Sequence, residues 1–112
     1  MPPEDRIRLS HMLEAIADAQ AFMLGRNRPD LDNDKMLVYA VLRAVEIVGE
    51  AASKVTAATQ AAAPQIPWSA IVGMRHRLVH AYARVDLDIV WKTVQQDLPP
   101  LKATIKAALA RA

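Results

Sequence analysis

Cysteine is absent from this 112-residue chain, and it holds only three glycines and five aromatic residues. Without cysteine the fold has no disulfide and no thiolate metal site, which fits a reducing compartment. No apolar run approaches the roughly 18 residues of a membrane span, and the start, MPPEDRIRLS, lacks the apolar core of a signal peptide. We therefore expect a soluble cytoplasmic protein without membrane contact.

An excess of charge of one sign is also lacking. Fourteen basic residues are balanced by 12 acidic ones, so the formal net charge is +2, and no polybasic tail is present. Any contact with nucleic acid would therefore be made by a local patch.

The length predicts one domain, spanning residues 1–112, and 53% hydrophobic residues are typical of a globular chain. Alanine supplies 21 of those positions, which favours helices but gives little apolar area per residue. A core with so few large side chains would gain from apolar surface shared with a second copy, so we expect a dimer.

Apolar residues recur at helical spacing, and no segment shows sustained period-two alternation. We therefore predict an all-α antiparallel bundle of four to five helices. The first predicted helix runs from Pro2 and Pro3 to near Gly25 and is followed by a polar connector over 26–30. The second is capped by Asp32 or Asn33 and reaches Val55, and a loop over 56–67 follows it. The third opens at Trp68 with Ile71, Met74, Leu78 and Tyr82 inward, the fourth is capped by Asp86, and a short last helix starts at Pro99 and Pro100.

The second predicted helix carries a polar stripe in addition to its apolar one. The stripe contains Tyr39, Arg43, Glu46, Glu50 and Ser53 at three- and four-residue steps. It is either a solvated face with an ion pair between Arg43 and Glu46, or a surface that meets a partner or a second copy.

The chemistry-bearing residues concentrate in one stretch, MRHRLVHAYARVDLDIVW, at 74–91. His76 and His80 are four residues apart, a spacing used by two-histidine zinc sites. Such sites need a third ligand, and a zinc-protease helix would have a glutamate where this chain has Arg77. Flanking arginines also repel a dication, so we predict no metal and no other cofactor.

Two other interpretations of this stretch remain open. In the first, His76 and His80 only interact with the carbonyls at a helix C-terminus. In the second, the stretch cleaves RNA, because histidine moves protons near neutral pH and arginine holds phosphate oxygens. Arg75, Arg77 and His80 supply both residue types. However, Arg75 and His80 lie about 140° apart on an ideal helix, so they converge only if the helix ends first or a second subunit contributes.

The spacing of Arg75, His80 and Tyr82, with four residues and then one between them, resembles the signature of the HepT-like branch of the HEPN ribonuclease family. The flanking segments RAVEIVGEAASKV, IPWSAIVGMRHRLVHAY and VDLDIVWKTVQQDLPPLK are similar to that family in order and spacing. The resemblance covers roughly residues 37–102, and the first helix is generic.

The resemblance implies a dimeric helical bundle whose two motifs meet in a cleft at the interface. It implies a toxin that acts as a metal-independent RNA endonuclease, with Arg75 and His80 as the catalytic pair. His76, Arg77, Arg43 and Glu46 are then expected to bind RNA or support the site.

The resemblance further implies a partner, a minimal nucleotidyltransferase antitoxin that transfers AMP from ATP to Tyr82. The added phosphate would occupy the cleft and compete with RNA for Arg75. The alternative function is a non-catalytic helical module that binds a nucleotide or a partner, which the small net charge favours.

Overall fold

A computed structural model describes residues 1–81 and 84–112 of the chain, with the backbone alone at 80 and 81. In these residues the elements are α1 (Pro3–Met23), α2 (Arg28–Asn33), α3 (Lys35–Ser53), α4 (Ala57–Ala62), α5 (Trp68–Val72), α6 (Met74–Leu78), β1 (Val79–Ala81), β2 (Arg84–Val85), α7 (Leu87–Lys92), a π turn (Thr93–Asp97) and α8 (Leu98–Arg111).

The bundle is built on α1, which packs against α3 and α8. Asp5, near the start of α1, accepts a hydrogen bond from the backbone N–H of Thr56, just beyond the end of α3. Lys102, near the start of α8, donates to the side chain of Gln20, near the end of α1, at 3.2 Å. The neighbouring helices therefore run antiparallel to α1, as predicted.

The core contains the residues that helical spacing predicted. On α3 the predicted apolar stripe is buried, and Val41 and Val48 have no exposed surface. The three inward positions predicted after Trp68, namely Ile71, Met74 and Leu78, are 3%, 3% and 1% exposed. Tyr82, the fourth position of that prediction, lies outside the described residues. The all-α antiparallel class is confirmed.

Two short helices replace predicted irregular segments. The connector predicted at 26–30 overlaps α2, so α3 begins later than predicted and its cap is Asp34, not Asp32 or Asn33. The Asp34 carboxylate accepts the backbone N–H of Leu37 at 3.1 Å. The predicted loop over 56–67 likewise contains α4. Six-residue helices show no clear periodicity, which is why the sequence pattern missed them.

The helix predicted from Trp68 divides at Gly73 and ends at Leu78, where the chain becomes extended. β1 then pairs antiparallel with β2, Val79 opposite Val85, and the backbone N–H of Asp86 donates to the carbonyl of Leu78 at 2.8 Å. This two-stranded ribbon was not predicted, because strands of two and three residues are too short for a period-two pattern.

Contrary to the prediction, Pro99 and Pro100 do not separate two helices. The chain stays helical from α7 through the π turn into α8, and the N–H of Leu98 donates to the carbonyl of Thr93, five residues back. Prolines lack an N–H and their rings crowd the carbonyl four residues earlier. A wider turn before them relieves this crowding, and they then occupy the first turn of α8. Among the described residues, no helix is long and apolar enough to cross a membrane.

Candidate active site

The end of α6 brings the backbone of residue 80 out of the helix that carries Arg75. Met74 and Leu78 anchor α6 in the core, and Val79 adopts extended angles (φ −122°, ψ 107°). The 140° separation expected on a continuous helix therefore does not apply, because the helix ends two residues before His80. The side chains of His80 and Tyr82 lie outside the described part of the structure.

Arg75 faces the polar stripe of α3. Its Nε lies 3.8 Å from Oε2 of Glu46, and its side chain is 57% exposed. Glu46 also accepts a hydrogen bond from Nη1 of Arg43 at 3.1 Å, the ion pair predicted from the sequence, and the same Nη1 lies 3.5 Å from Glu50. Arg75 of α6 and Arg43, Glu46 and Glu50 of the stripe thus form a row in which guanidinium and carboxylate groups alternate.

A cavity of about 320 Å³, which we call the Arg75 cavity, lies between α3 and α6. It contains Arg75 and His76 from α6 and Glu46 from α3, so the structure brings together three of the predicted site residues. Its lining residues are Val45, Glu46, Gly49, Glu50, Ser53, Val72, Arg75 and His76.

Gly49 allows α5 to approach α3 closely at this cavity. A Cβ atom at position 49 would lie 3.3 Å from the carbonyl oxygen of Ile71 and 3.8 Å from that of Val72. Glycine therefore sets the depth at which α5, and α6 after it, pack on α3. The sequence prediction did not name Gly49, because only the tertiary contact reveals its role.

Arg77 lies on another side of α6 and lines a different cavity from Arg75. Two residues along a helix correspond to a rotation of about 200°, which explains the separation. The structure therefore does not bring Arg77 together with Arg75, His76, Arg43 and Glu46.

Arg28 is a further residue near the ribbon that the sequence prediction missed. Its Nε donates to the Asp88 carboxylate at 2.8 Å, and its Nη1 lies 3.2 Å from Asp32. This contact joins α2 to the start of α7, directly after β2. Sixty positions separate Arg28 and Asp88, so local spacing gave no signal for it.

The described side chains contain no group of three or more histidine, cysteine, aspartate or glutamate residues placed to hold a metal ion. His80 is not one of those side chains.

Comparison with known proteins identifies the family to which this chain belongs. The model of the family described as ribonuclease HepT-like matches residues 12–108. The chain belongs to the HepT-like ribonuclease family. The match extends into α1, which the resemblance over roughly residues 37–102 did not cover.

Among curated HepT-like relatives, a protein of Thermococcus cleftensis named "Probable ribonuclease HepT" is 39% identical over 84% of this chain and 86% of its own. Two Methanocaldococcus jannaschii proteins, each named "Putative RNase", are 35% and 34% identical. They match 88% and 91% of this chain, and 90% and 85% of their own lengths. No solved structure matches this HepT-like chain.

Proposed function

We propose that this HepT-like protein is a metal-independent RNA endonuclease, the toxin of a toxin–antitoxin pair. The observation that supports the proposal best is the position of Arg75. Its guanidinium is half exposed, faces an open cavity, and lies five residues before His80 on a helix that ends between them.

In the proposed reaction His80 acts as a general base and takes the proton from a ribose 2′-hydroxyl. The 2′-oxygen attacks the adjacent phosphorus, the bond to the 5′-oxygen breaks, and that oxygen takes a proton from water as it leaves, while His80 returns its proton to the solvent. Arg75 stabilises the extra negative charge on the phosphoryl oxygens in the transition state. His76, Arg43 and Glu46 support this arrangement, since all three lie at or beside the same cavity.

We further propose that two copies associate through the face that contains this cavity. Met36 and Tyr39 are 82% and 61% exposed and precede Arg43 on one face of α3, and Val72, 45% exposed, lines the cavity from α5. Apolar side chains exposed beside a polar cavity are typical of the core of a subunit interface. Two copies would then place their cavities in a shared cleft.

Regulation is proposed to act through Tyr82. A nucleotidyltransferase antitoxin would catalyse attack of the Tyr82 oxygen on the α-phosphorus of ATP, with loss of the phenolic proton and release of pyrophosphate. The AMP group would add negative charge within reach of the cleft and compete with RNA for Arg75. Intact mass after co-expression with the antitoxin should rise by one AMP, and Tyr82→Phe should prevent the rise.

The experiment that tests the enzymatic proposal compares RNA cleavage and growth inhibition by the parent, Arg75→Ala and His80→Ala. General acid–base and oxyanion-type groups contribute about 100-fold or more, so both variants should lose activity by at least that factor. Arg111→Ala and His11→Ala, at exposed positions on other helices, are the matched controls. Parent-like cleavage by Arg75→Ala or His80→Ala would refute the assignment. A parent that neither binds nor cleaves RNA would indicate a non-catalytic module instead.

A further inference from the structure

A second cavity, of about 400 Å³, lies on the side of α6 that faces away from the Arg75 cavity. Its walls come from α5, α6, the π turn and α8, and we call it the Arg77 cavity. It reaches the core, because Ile71, Met74, Leu98 and Leu101 line it and are each at most 7% exposed. Pro67 and Pro100 add two flat, exposed apolar surfaces near its opening.

Two cations lie around this apolar floor. Arg77 and Lys92 are both exposed, whereas Asp97 is the one carboxylate among the described lining residues, so the cavity carries a net positive charge. Among the described residues, Arg77 donates one hydrogen bond, from Nη2 to the carbonyl of Ala70, at a long 3.5 Å. A guanidinium has five N–H donors, so a phosphate group can engage the same side chain without displacing a strong partner.

Neutral hydrogen-bonding groups complete the lining. The side-chain amides of Gln65 and Gln96 each offer both a donor and an acceptor to the cavity. This lining matches the chemistry of a nucleotide. The apolar floor suits the flat face of a base, the amides suit its polar edge, and the cations suit its phosphate.

We propose that the Arg77 cavity binds one nucleotide of the RNA substrate, a few positions from the phosphate that is cleaved at Arg75. The inference rests on the proposed ribonuclease function and adds a substrate subsite to it. Arg77 and Lys92 bind the phosphate of that nucleotide, and its base packs against Pro67 and Pro100. A helix with its side chains is about 10–12 Å across, so a single strand that passes the five-residue helix α6 can reach both cavities.

The test measures steady-state cleavage of a single-stranded RNA of about 12 nucleotides, and binding of the same oligonucleotide with 2′-deoxyribose throughout. Arg77→Ala and Lys92→Ala should each raise KM about fivefold and leave kcat unchanged, because they contact a phosphate that does not react. Each should also reduce the slope of log Kd against log salt concentration by about 0.7. Lys106→Ala, which removes an exposed charge elsewhere on α8, should change neither quantity.

A second variant separates binding inside the cavity from long-range attraction. Ala70→Leu adds volume to the exposed lining of the cavity and keeps every charge, so it should also raise KM if a base enters there. If Arg77→Ala, Lys92→Ala and Ala70→Leu all behave like Lys106→Ala while the parent cleaves RNA, the subsite proposal is wrong and the proposed function stands. If the parent does not cleave RNA, the proposed function fails independently.

Free AMP distinguishes an RNA subsite from a site for a free nucleotide. The RNA subsite predicts that AMP binds weakly and competes with the oligonucleotide, and that Ala70→Leu weakens both ligands. Tight AMP binding that leaves the KM for RNA unchanged would overturn the proposal. Loss of neutralisation by the antitoxin in these variants, with parent-like KM, would also overturn it and indicate a protein contact.

Discussion

Arg75 has a carboxylate partner, Glu46, in the free protein and, in our account, a phosphate partner in the complex. Glu46 lies 3.8 Å from it, which is long for a salt bridge, and both side chains are at least one-third exposed. Such a pair contributes little to stability, roughly 1 kcal/mol or less. We propose that Glu46 instead orients the guanidinium at the wall of the cavity while remaining easy to displace.

Glu46→Gln should therefore separate the two kinetic parameters. Removing the carboxylate removes a competitor for Arg75, so KM for RNA should fall by about threefold. Arg75 also loses its orienting partner, so kcat should fall by about tenfold. Steady-state kinetics on one defined RNA measure both values.

Glu50→Gln is the matched control for this change. It removes the same charge from the same cavity, but the ion pair shown for Glu50 is with Arg43 rather than Arg75. We expect a lower KM with an unchanged kcat. Equal kcat values for Glu46→Gln and Glu50→Gln would contradict an orienting role for Glu46.

Asp5 is a buried carboxylate that does not line the Arg75 cavity and has a structural role. It is 1% exposed and accepts hydrogen bonds from the hydroxyls of Thr56 and Thr59 and from the backbone N–H of Thr56. Burial raises the pKa of Asp5, but these hydrogen bonds stabilise the carboxylate more strongly, and the net pKa lies below the ordinary 3.8. Asp5 thereby joins the start of α1 to the start of α4.

Asp5→Asn should lower the free energy of unfolding by about 2 kcal/mol at neutral pH, the scale of hydrogen bonds to a charged group. Because the folded pKa is depressed, the stabilisation is complete above the unfolded value near 3.8. It is lost as pH falls through the lower folded value. Urea denaturation at pH 7 and at pH 3 measures the effect, and the difference between parent and variant should shrink at pH 3. The exposed Asp18→Asn should change little at either pH, and an equal loss there would contradict this role.

At the scale of elements, helical periodicity predicted the long helices and their buried faces, because amphipathic segments such as α3 repeat the same pattern over several turns. Shorter features could not be predicted this way. The end of α6 at Leu78 depends on pairing between Val79 and Val85, and the cap at Asp34 depends on a preceding six-residue helix. The roles of His80 and Tyr82 came from the family resemblance rather than from any periodicity.

The contact between α3 and α5 gives an element-scale prediction. Gly49→Ala places a methyl group 3.3 Å from the carbonyl oxygen of Ile71, and a backbone atom cannot move aside as a side chain can. Alanine favours the helix by about 1 kcal/mol, but overpacking costs about 1–3 kcal/mol, so we expect a net loss near 1 kcal/mol. The helix α6 should move relative to Glu46, and kcat should fall.

Thermal unfolding and cleavage kinetics measure the two effects of Gly49→Ala. Gly73→Ala is the control for stability, because its new methyl group lies at 3.4 Å from the carbonyl of Ser69, and its φ of −82° suits alanine. A Gly49→Ala protein that is more stable than the parent, with parent-like kcat, would show that the close approach does not position α6.

At the scale of the whole molecule, we propose that two copies associate through the exposed face of α3. Because α6 ends before residue 80, the 140° separation of Arg75 and His80 on a continuous helix does not apply within one subunit. We therefore propose that the dimer forms the cleft, and that it is not needed to bring these two residues together. The molecule has a net charge of only +2, and a shared cleft would double the number of cations that face one RNA.

Met36→Asp should therefore convert a dimer into a monomer, because it places a charge in the proposed apolar contact. Sedimentation velocity at micromolar concentration measures the change, and RNA cleavage should fall with it. Leu24→Asp is the matched control, since Leu24 is 83% exposed and Met36 is 82% exposed. A parent that sediments as a monomer, or equal effects of the two substitutions, would contradict this interface.

The most direct test of the central claim is single-turnover cleavage of RNA in excess chelator by the parent, His80→Ala and His11→Ala. We expect the parent and His11→Ala to cleave at the same rate with and without chelator. His80→Ala should be slower by about 100-fold or more. Cleavage by His80→Ala at the parent rate, or loss of the parent's activity in chelator, would contradict a metal-independent reaction at His80.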